Sequence, residues 1–242
     1  MKPADLKQVP GFRRRFRITP GAGQVRSQVE DDYHCMSVTL KHDGVTVNAV
    51  EAVMERAPWT TCPGAQQQLT DTFTGLALAS FNERGEKLSN CTHLYDLALL
   101  AADHALDQQP LEYDILVSDP IDGKRYAEIR LGGKILFSWT EKEFHLTEPD
   151  AVAGIRLDKL GGWIRTLTPP NQEAAKLLRW GNMMANGRSI PLPEQSDATR
   201  MPPNCYTFQP QRAVIAKRVG VIRDFSNGTH EPLEKTLQNN QQ

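Results

Sequence analysis

Nowhere along the 242 residues does an apolar run approach the ~20 residues that a membrane-crossing helix requires. The opening stretch MKPADLKQVPGFRRRFRI also lacks the apolar segment that follows the basic residues of a secretory signal. A cytoplasmic protein with no membrane partner is therefore expected. Surplus charge is missing too: 28 Lys and Arg stand against 29 Asp and Glu, a formal net charge of −1. That balance provides no electrostatic footprint for nucleic acid, which is excluded as an expected partner. Cysteine is scarce, and Cys35, Cys62, Cys91 and Cys205 are too few for a disulfide scaffold. In a reducing compartment they read as core residues, metal ligands or nucleophiles. The chain has no G-x4-G-K-[ST] phosphate loop, no G-x-G-x-x-G and no G-x-S-x-G elbow, so nucleotide binding and serine hydrolysis leave no signal here. What is present is an ordinary globular composition, 39% hydrophobic and 24% charged, enough to bury a core without staples.

Periodicity predicts an α+β protein in two successive segments. Phe12, Arg14, Phe16 and Ile18 alternate as one strand, and Tyr33 to Leu40 as a second. Asp43-Gly44 marks a hairpin turn, after which Val45, Val47 and Ala49 resume the alternation through Val53. A three-strand meander follows, and then the period changes. Pro63 suits a first helical turn, and Ala65, Leu69, Phe73 and Leu76 recur at helical spacing, predicting a helix over 63–78. The polar stretch from Ser80 to Asn90 reads as a surface loop, and Leu94, Leu97, Ala98, Ala101 and Ala105 as a second, deeply buried helix. The pattern then repeats in type, with a meander over Tyr113–Thr140 turning at Gly132-Gly133 and a helix introduced by Pro169-Pro170 and stopped at Gly187. The expected organisation is residues 12–108, residues 109–226 packed tightly on them, and a flexible tail over 227–242.

The residues able to carry chemistry gather in the first segment. Cys62 and Cys91 both fall where a helix is expected to begin, and free backbone N–H groups there favour a thiolate. His93 lies two residues beyond Cys91. Thiolate and imidazole are preferred donors for zinc or iron, so Cys62, Cys91 and His93 form the expected ligand set for a divalent metal. Asp31, Asp32, His34 and Cys35 open the second expected strand, where alternation groups Asp32 with His34 and sets Asp31 with Cys35 on the other face. Asp32 or His34 is a candidate further ligand or the base that orients a metal-bound water; if no metal binds, Cys62 is the candidate nucleophile with His93 or His34 as its base, and Trp59 and Tyr95 are the candidate pocket walls. Cys205, in the run MPPNCYTF, is expected in the core of the second segment or in a pocket lid.

The strings EDDYHCMSVTLKHDG, ERAPWTTCPGA, CTHLYDLALLAADHAL and MPPNCYTFQPQRA with RDFS resemble the bacterial family catalogued as domain of unknown function 2889, over roughly Phe12 to Ser226. The first segment alone is also similar to iron–sulfur scaffold proteins of the NifU type. That second likeness implies that Cys62 matches the helix-start cysteine and Cys91 the later one, with Asp32 or Cys35 in place of the first ligand. Here the later pair reads Cys-Thr-His rather than His-Cys. The reading that follows is a metal- or cysteine-dependent enzyme, a hydrolase or lyase of bacterial small-molecule catabolism. Acyl thioesters or aromatic acids are its expected substrates, and an oligomer is compatible with the sequence. The alternative is a non-catalytic metal or iron–sulfur carrier.

Overall fold

The computed structural model describes residues 3–219 and 222–234. The fold is mixed α+β, with eight strands whose assigned pairs are antiparallel. The strands are β1 (Gly11–Gly21), β2 (Gln24–Glu30), β3 (Cys35–His42), β4 (Val47–Arg56), β5 (Leu111–Ser118), β6 (Arg125–Leu131), β7 (Lys134–Lys142) and β8 (His145–Glu148). The helices are α1 (Ala65–Phe73), α2 (Thr92–Asp103), the single turn α3 (Gly161–Ile164), α4 (Pro169–Ala185) and the single turn α5 (Pro210–Ala213). None of the described helices is long and apolar enough to cross a membrane.

Two compact units result, and their boundaries cut across the order of the sequence. One comprises Phe16–Glu112 and Leu192–Arg223; the other comprises Met1–Arg15, Tyr113–Pro191 and Asp224–Gln242. The Pro-rich stretch after residue 191 thus returns to the first half of the chain, where a simple two-segment reading puts it with the second half.

In the unit holding Phe16–Glu112, β2, β3 and β4 form a meander, with Glu30 opposite Cys35 and Cys35 opposite Arg56. Strand β2 is the element that the sequence pattern does not announce. Its buried residues include Ser27 between Val25 and Val29 on one face and Gln28 and Glu30 on the other, so polarity does not mark an inward side. Ser27 is satisfied by donating to the Leu97 carbonyl of α2 at 2.7 Å. Helix α1 is shorter than its spacing predicts: Cys62–Gly64 is a tight 3-10 turn, and Gly75, with φ of 84°, ends the helical path. The expected loop between the helices contains short 3-10 turns, and Phe81 within it is fully buried against Phe73, ring centroids 4.6 Å apart.

The other unit contains the predicted second meander, extended by β8, which pairs with β7. The turn at Gly132-Gly133 has both residues at positive φ, 55° and 84°, as a two-residue hairpin demands. Helix α4 runs over the predicted span and ends at Ala185, with Gly187 in the following turn. Its Asn182 is buried and accepts a 2.7 Å hydrogen bond from Trp139 Nε1 of β7. Replacing Asn182 by Leu strands that indole N–H in an apolar environment, at a cost of about 1–3 kcal/mol. Urea denaturation followed by tryptophan fluorescence should show the midpoint of this unit falling with little change in slope. The first part of the expected tail is tied down: Leu233 is buried, and Glu231 pairs with Arg15 at 3.0 Å. The remainder of that tail, from residue 235, lies outside the described residues.

Candidate metal centre

The chemistry-bearing residues of the Phe16–Glu112 unit meet where β2 turns into β3. Residues 31–34 are a turn rather than the start of a strand, because Asp31 supplies its acceptors: Asp31 Oδ1 takes the backbone N–H of Tyr33 at 2.8 Å and of His34 at 2.9 Å. The Asp31 backbone N–H in turn donates to the His34 carbonyl at 2.9 Å. An aspartate at the head of a tight turn does this readily, since its short side chain reaches backbone donors two residues on. The turn abolishes the expected alternation. His34 therefore faces Asp31 rather than Asp32, its Nδ1 lying 3.0 Å from Asp31 Oδ1.

Helix α2 brings the third member. His93, in its first turn, stacks on His34 with ring centroids 3.9 Å apart and planes 24° apart. One donor atom each from Asp31, His34 and His93 lies within 4.8 Å of the other two. These side chains are 0%, 3% and 9% exposed. Arginines hold the surrounding backbone and the neighbouring carboxylate. Arg56 donates to the carbonyls of Asp31 and of His34, the latter at 3.2 Å, and to Glu30 Oε1 at 3.2 Å. Arg223 reaches Glu30 Oε1 at 3.3 Å, and its backbone N–H donates to the Asp32 carbonyl at 2.9 Å. A buried carboxylate shared by two guanidiniums is the arrangement in which buried charge is tolerated.

The expected ligand set of Cys62, Cys91 and His93 is not what the geometry assembles. Among the described residues the group of donors at ligating separation is Asp31, His34 and His93. Cys62 sits in an apolar cluster with Trp59, Ala198 and Ala213, its Sγ 3.4 Å from Thr207 Oγ1. Burial pushes its thiol up and outweighs the Thr207 hydroxyl and the backbone hydrogen bonds that oppose it. Cys91 is the N-cap of α2, yet burial raises its thiol to about 12 and outweighs the backbone N–H groups of Leu94 and His93. Both cysteines are therefore thiols at neutral pH, and neither is an activated nucleophile. Cys205 is raised for the same reason, and Cys62 and Cys205 each add to the elevation at Cys91. The Tyr206 N–H donates to the Asn90 carbonyl at 2.8 Å, so Cys205 belongs with this unit and not with the core of the second segment. Cys35 is half-buried and raised to about 12 by burial, with Glu30 and Glu55 adding to it.

Asp32 is fully buried beside the cluster. Trp59 is buried edge-on to Phe208 at 5.8 Å. Tyr95 belongs to the core and not to a pocket wall: its ring packs on Phe73 at 5.0 Å, and its hydroxyl donates to the carbonyls of Arg84 and Gly85. The member of the cluster absent from the candidate list is Asp31, and its signal was the Asp-Asp-Tyr-His string read as a turn rather than as a strand.

A comparison with curated proteins found no match. A solved structure titled "Crystal structure of a Viral Glycoprotein" aligns over 79% of this chain at 14% identity, with a TM-score of 0.21. The chain spans 62% of that protein's length, and a likeness this slight carries no argument about fold or function. No comparison supports the likeness to NifU-type scaffold proteins. Residues 17–107, the stretch holding Asp31, His34 and His93, match the model of the family described as "Protein of unknown function (DUF2889)", a narrower span than the motifs suggest.

Proposed function

We propose that this protein is a metal-dependent enzyme acting on a small molecule, in which Asp31, His34 and His93 hold a divalent cation. The observation that carries this reading is the convergence of one carboxylate and two imidazoles, all buried, with donor atoms within 4.8 Å of one another. Two histidines and a carboxylate form a donor set suited to zinc or ferrous iron, and such a set leaves coordination positions open. When bound, the ion would supply a Lewis acid that activates water or polarises a carbonyl. The turn hydrogen bonds fix the carboxylate of Asp31, and Asp31 in turn fixes the ring of His34, so the donors are oriented before any ion arrives. Hydrolysis or carbonyl activation in small-molecule catabolism remains the class that fits this chemistry.

Burial argues for an enzyme over a carrier. A carrier must hand its metal to a docking partner at an exposed rim, whereas these three side chains are almost wholly enclosed. Elemental analysis of the purified protein is expected to find about one zinc or iron per chain. Asp31→Asn and His93→Gln should each lower that occupancy at least tenfold, while Cys62→Ser leaves it unchanged. A wild-type protein without metal, or one whose metal follows Cys62 instead, would sink the assignment.

A further inference from the structure

A cation with no carboxylate partner among the described residues stands one aromatic ring away from this cluster. The segments Pro58–Thr60 and Lys217–Val219 are clipped together: Trp59 bridges Arg218, the Thr60 N–H donates to the Lys217 carbonyl at 3.0 Å, and the Val219 N–H donates to the Pro58 carbonyl at 2.8 Å. Lys217 N–H adds a 3.0 Å bond to Thr60 Oγ1. The clip fixes the backbone of Arg218, whose guanidinium carbon lies 5.4 Å from the ring centre of Trp59 and 5.6 Å from that of Tyr33. Tyr33 is the residue before His34, and their ring centroids are 6.3 Å apart.

Among the described residues Arg218 is paired with no carboxylate, and its Nε is buried without a hydrogen-bond partner. The ionisable groups that act on it are Tyr33 and Cys62, neither of them a carboxylate. Burial accordingly depresses the guanidinium. Arg56 and Arg223, by contrast, both pair with Glu30. Two aromatic faces compensate a cation only in part, and a half-buried guanidinium with nothing anionic beside it is the form an anion subsite takes before its ligand is bound.

We propose that Arg218, held against the Tyr33 and Trp59 rings, is the binding residue for the carboxylate of a small organic acid. One planar fork matches one planar carboxylate in two parallel hydrogen bonds, while a phosphate calls for more donors than one guanidinium offers. The inference rests on the proposed function only in making the bound acid a substrate of the metal centre; the binding itself needs no metal.

Benzoate is the probe, titrated calorimetrically into the full-length protein, both as purified and after treatment with a chelator, with inorganic phosphate in parallel. Saturable benzoate binding is expected in both preparations, together with a rise in melting temperature. Arg218→Gln should weaken it at least tenfold and abolish the thermal shift, and Arg218→Lys, which keeps the charge but loses the fork, should weaken it less. A merely structural Arg218 predicts no benzoate-dependent shift in the wild type. Undiminished binding by either variant, no benzoate binding by the wild type, or binding of phosphate in its place would each overturn the proposal. Metal-free wild-type protein with Arg218-dependent benzoate binding would overturn the metal assignment and leave this one standing; bound metal without benzoate binding would do the reverse.

Discussion

An Asp31→Ala variant is expected to be less stable than the wild type by about 3–5 kcal/mol and to lose its metal. The carboxylate is fully buried and accepts two backbone N–H groups and the His34 ring through Oδ1. Hydrogen bonds to a charged acceptor contribute about 1.5–3 kcal/mol each, and removing the acceptor leaves those donors enclosed without partners. The effects are not additive, since a turn freed of its restraint relaxes toward water, so the expected total stays below the simple sum. Thermal melts of wild type, Asp31→Ala and Asp31→Asn, each with and without chelator, check this. Asp31→Asn keeps one acceptor oxygen and should retain most of the fold while losing the ion. Wild-type stability in Asp31→Ala would show that the turn is held by its backbone alone.

The second large effect concerns the floor of the same unit. Phe73→Ala is expected to cost about 3–5 kcal/mol, the usual penalty for truncating a buried aromatic ring. Phe73 closes α1 and is fully enclosed, with the Phe81 ring stacked on one side and the Tyr95 ring of α2 on another. Its loss opens a cavity beneath two helices and the 3-10 turn carrying Phe81, which the backbone cannot refill without moving α2. Because α2 presents His93, the variant should also bind metal less tightly, although Phe73 is not a ligand. Phe73→Leu, which restores most of the volume, should recover the greater part of both losses. Chemical denaturation with parallel metal titration separates the two readouts.

How far the sequence discloses this molecule depends on whether burial follows polarity. Where apolar residues mark the buried face, as in β1, β3, the second meander and the helices around Leu97 and Leu178, period alone locates the element. It fails for β2, because Ser27, Gln28 and Glu30 are buried, with Ser27 satisfied by the Leu97 carbonyl and Glu30 by Arg56. The site was legible by neighbourhood and not by membership. The sequence offers His34 and His93, yet helix starts also favour two thiols as ligands, and burial leaves those thiols protonated. Asp31 was set on the wrong face because a period of two was carried through a turn. The place of Cys205 and Arg218 in this unit had no local signal at all, since it follows from a chain reversal more than a hundred residues after the strands they join.

That reversal has a consequence for synthesis. A unit made of Phe16–Glu112 and Leu192–Arg223 is interrupted by a whole second unit in the chain. At ~5–20 residues per second, a ribosome that has delivered Glu112 needs roughly 5–20 s more to deliver Arg223. Until then Glu30 has Arg56 but not Arg223, the Pro58–Thr60 segment has no strand to clip to, and the apolar surface of Trp59 and Cys62 stays uncovered. The nascent protein thus passes through an interval in which the half carrying Asp31, His34 and His93 exists without its closing segment. A fragment ending near residue 112 would be held permanently in that unfinished state.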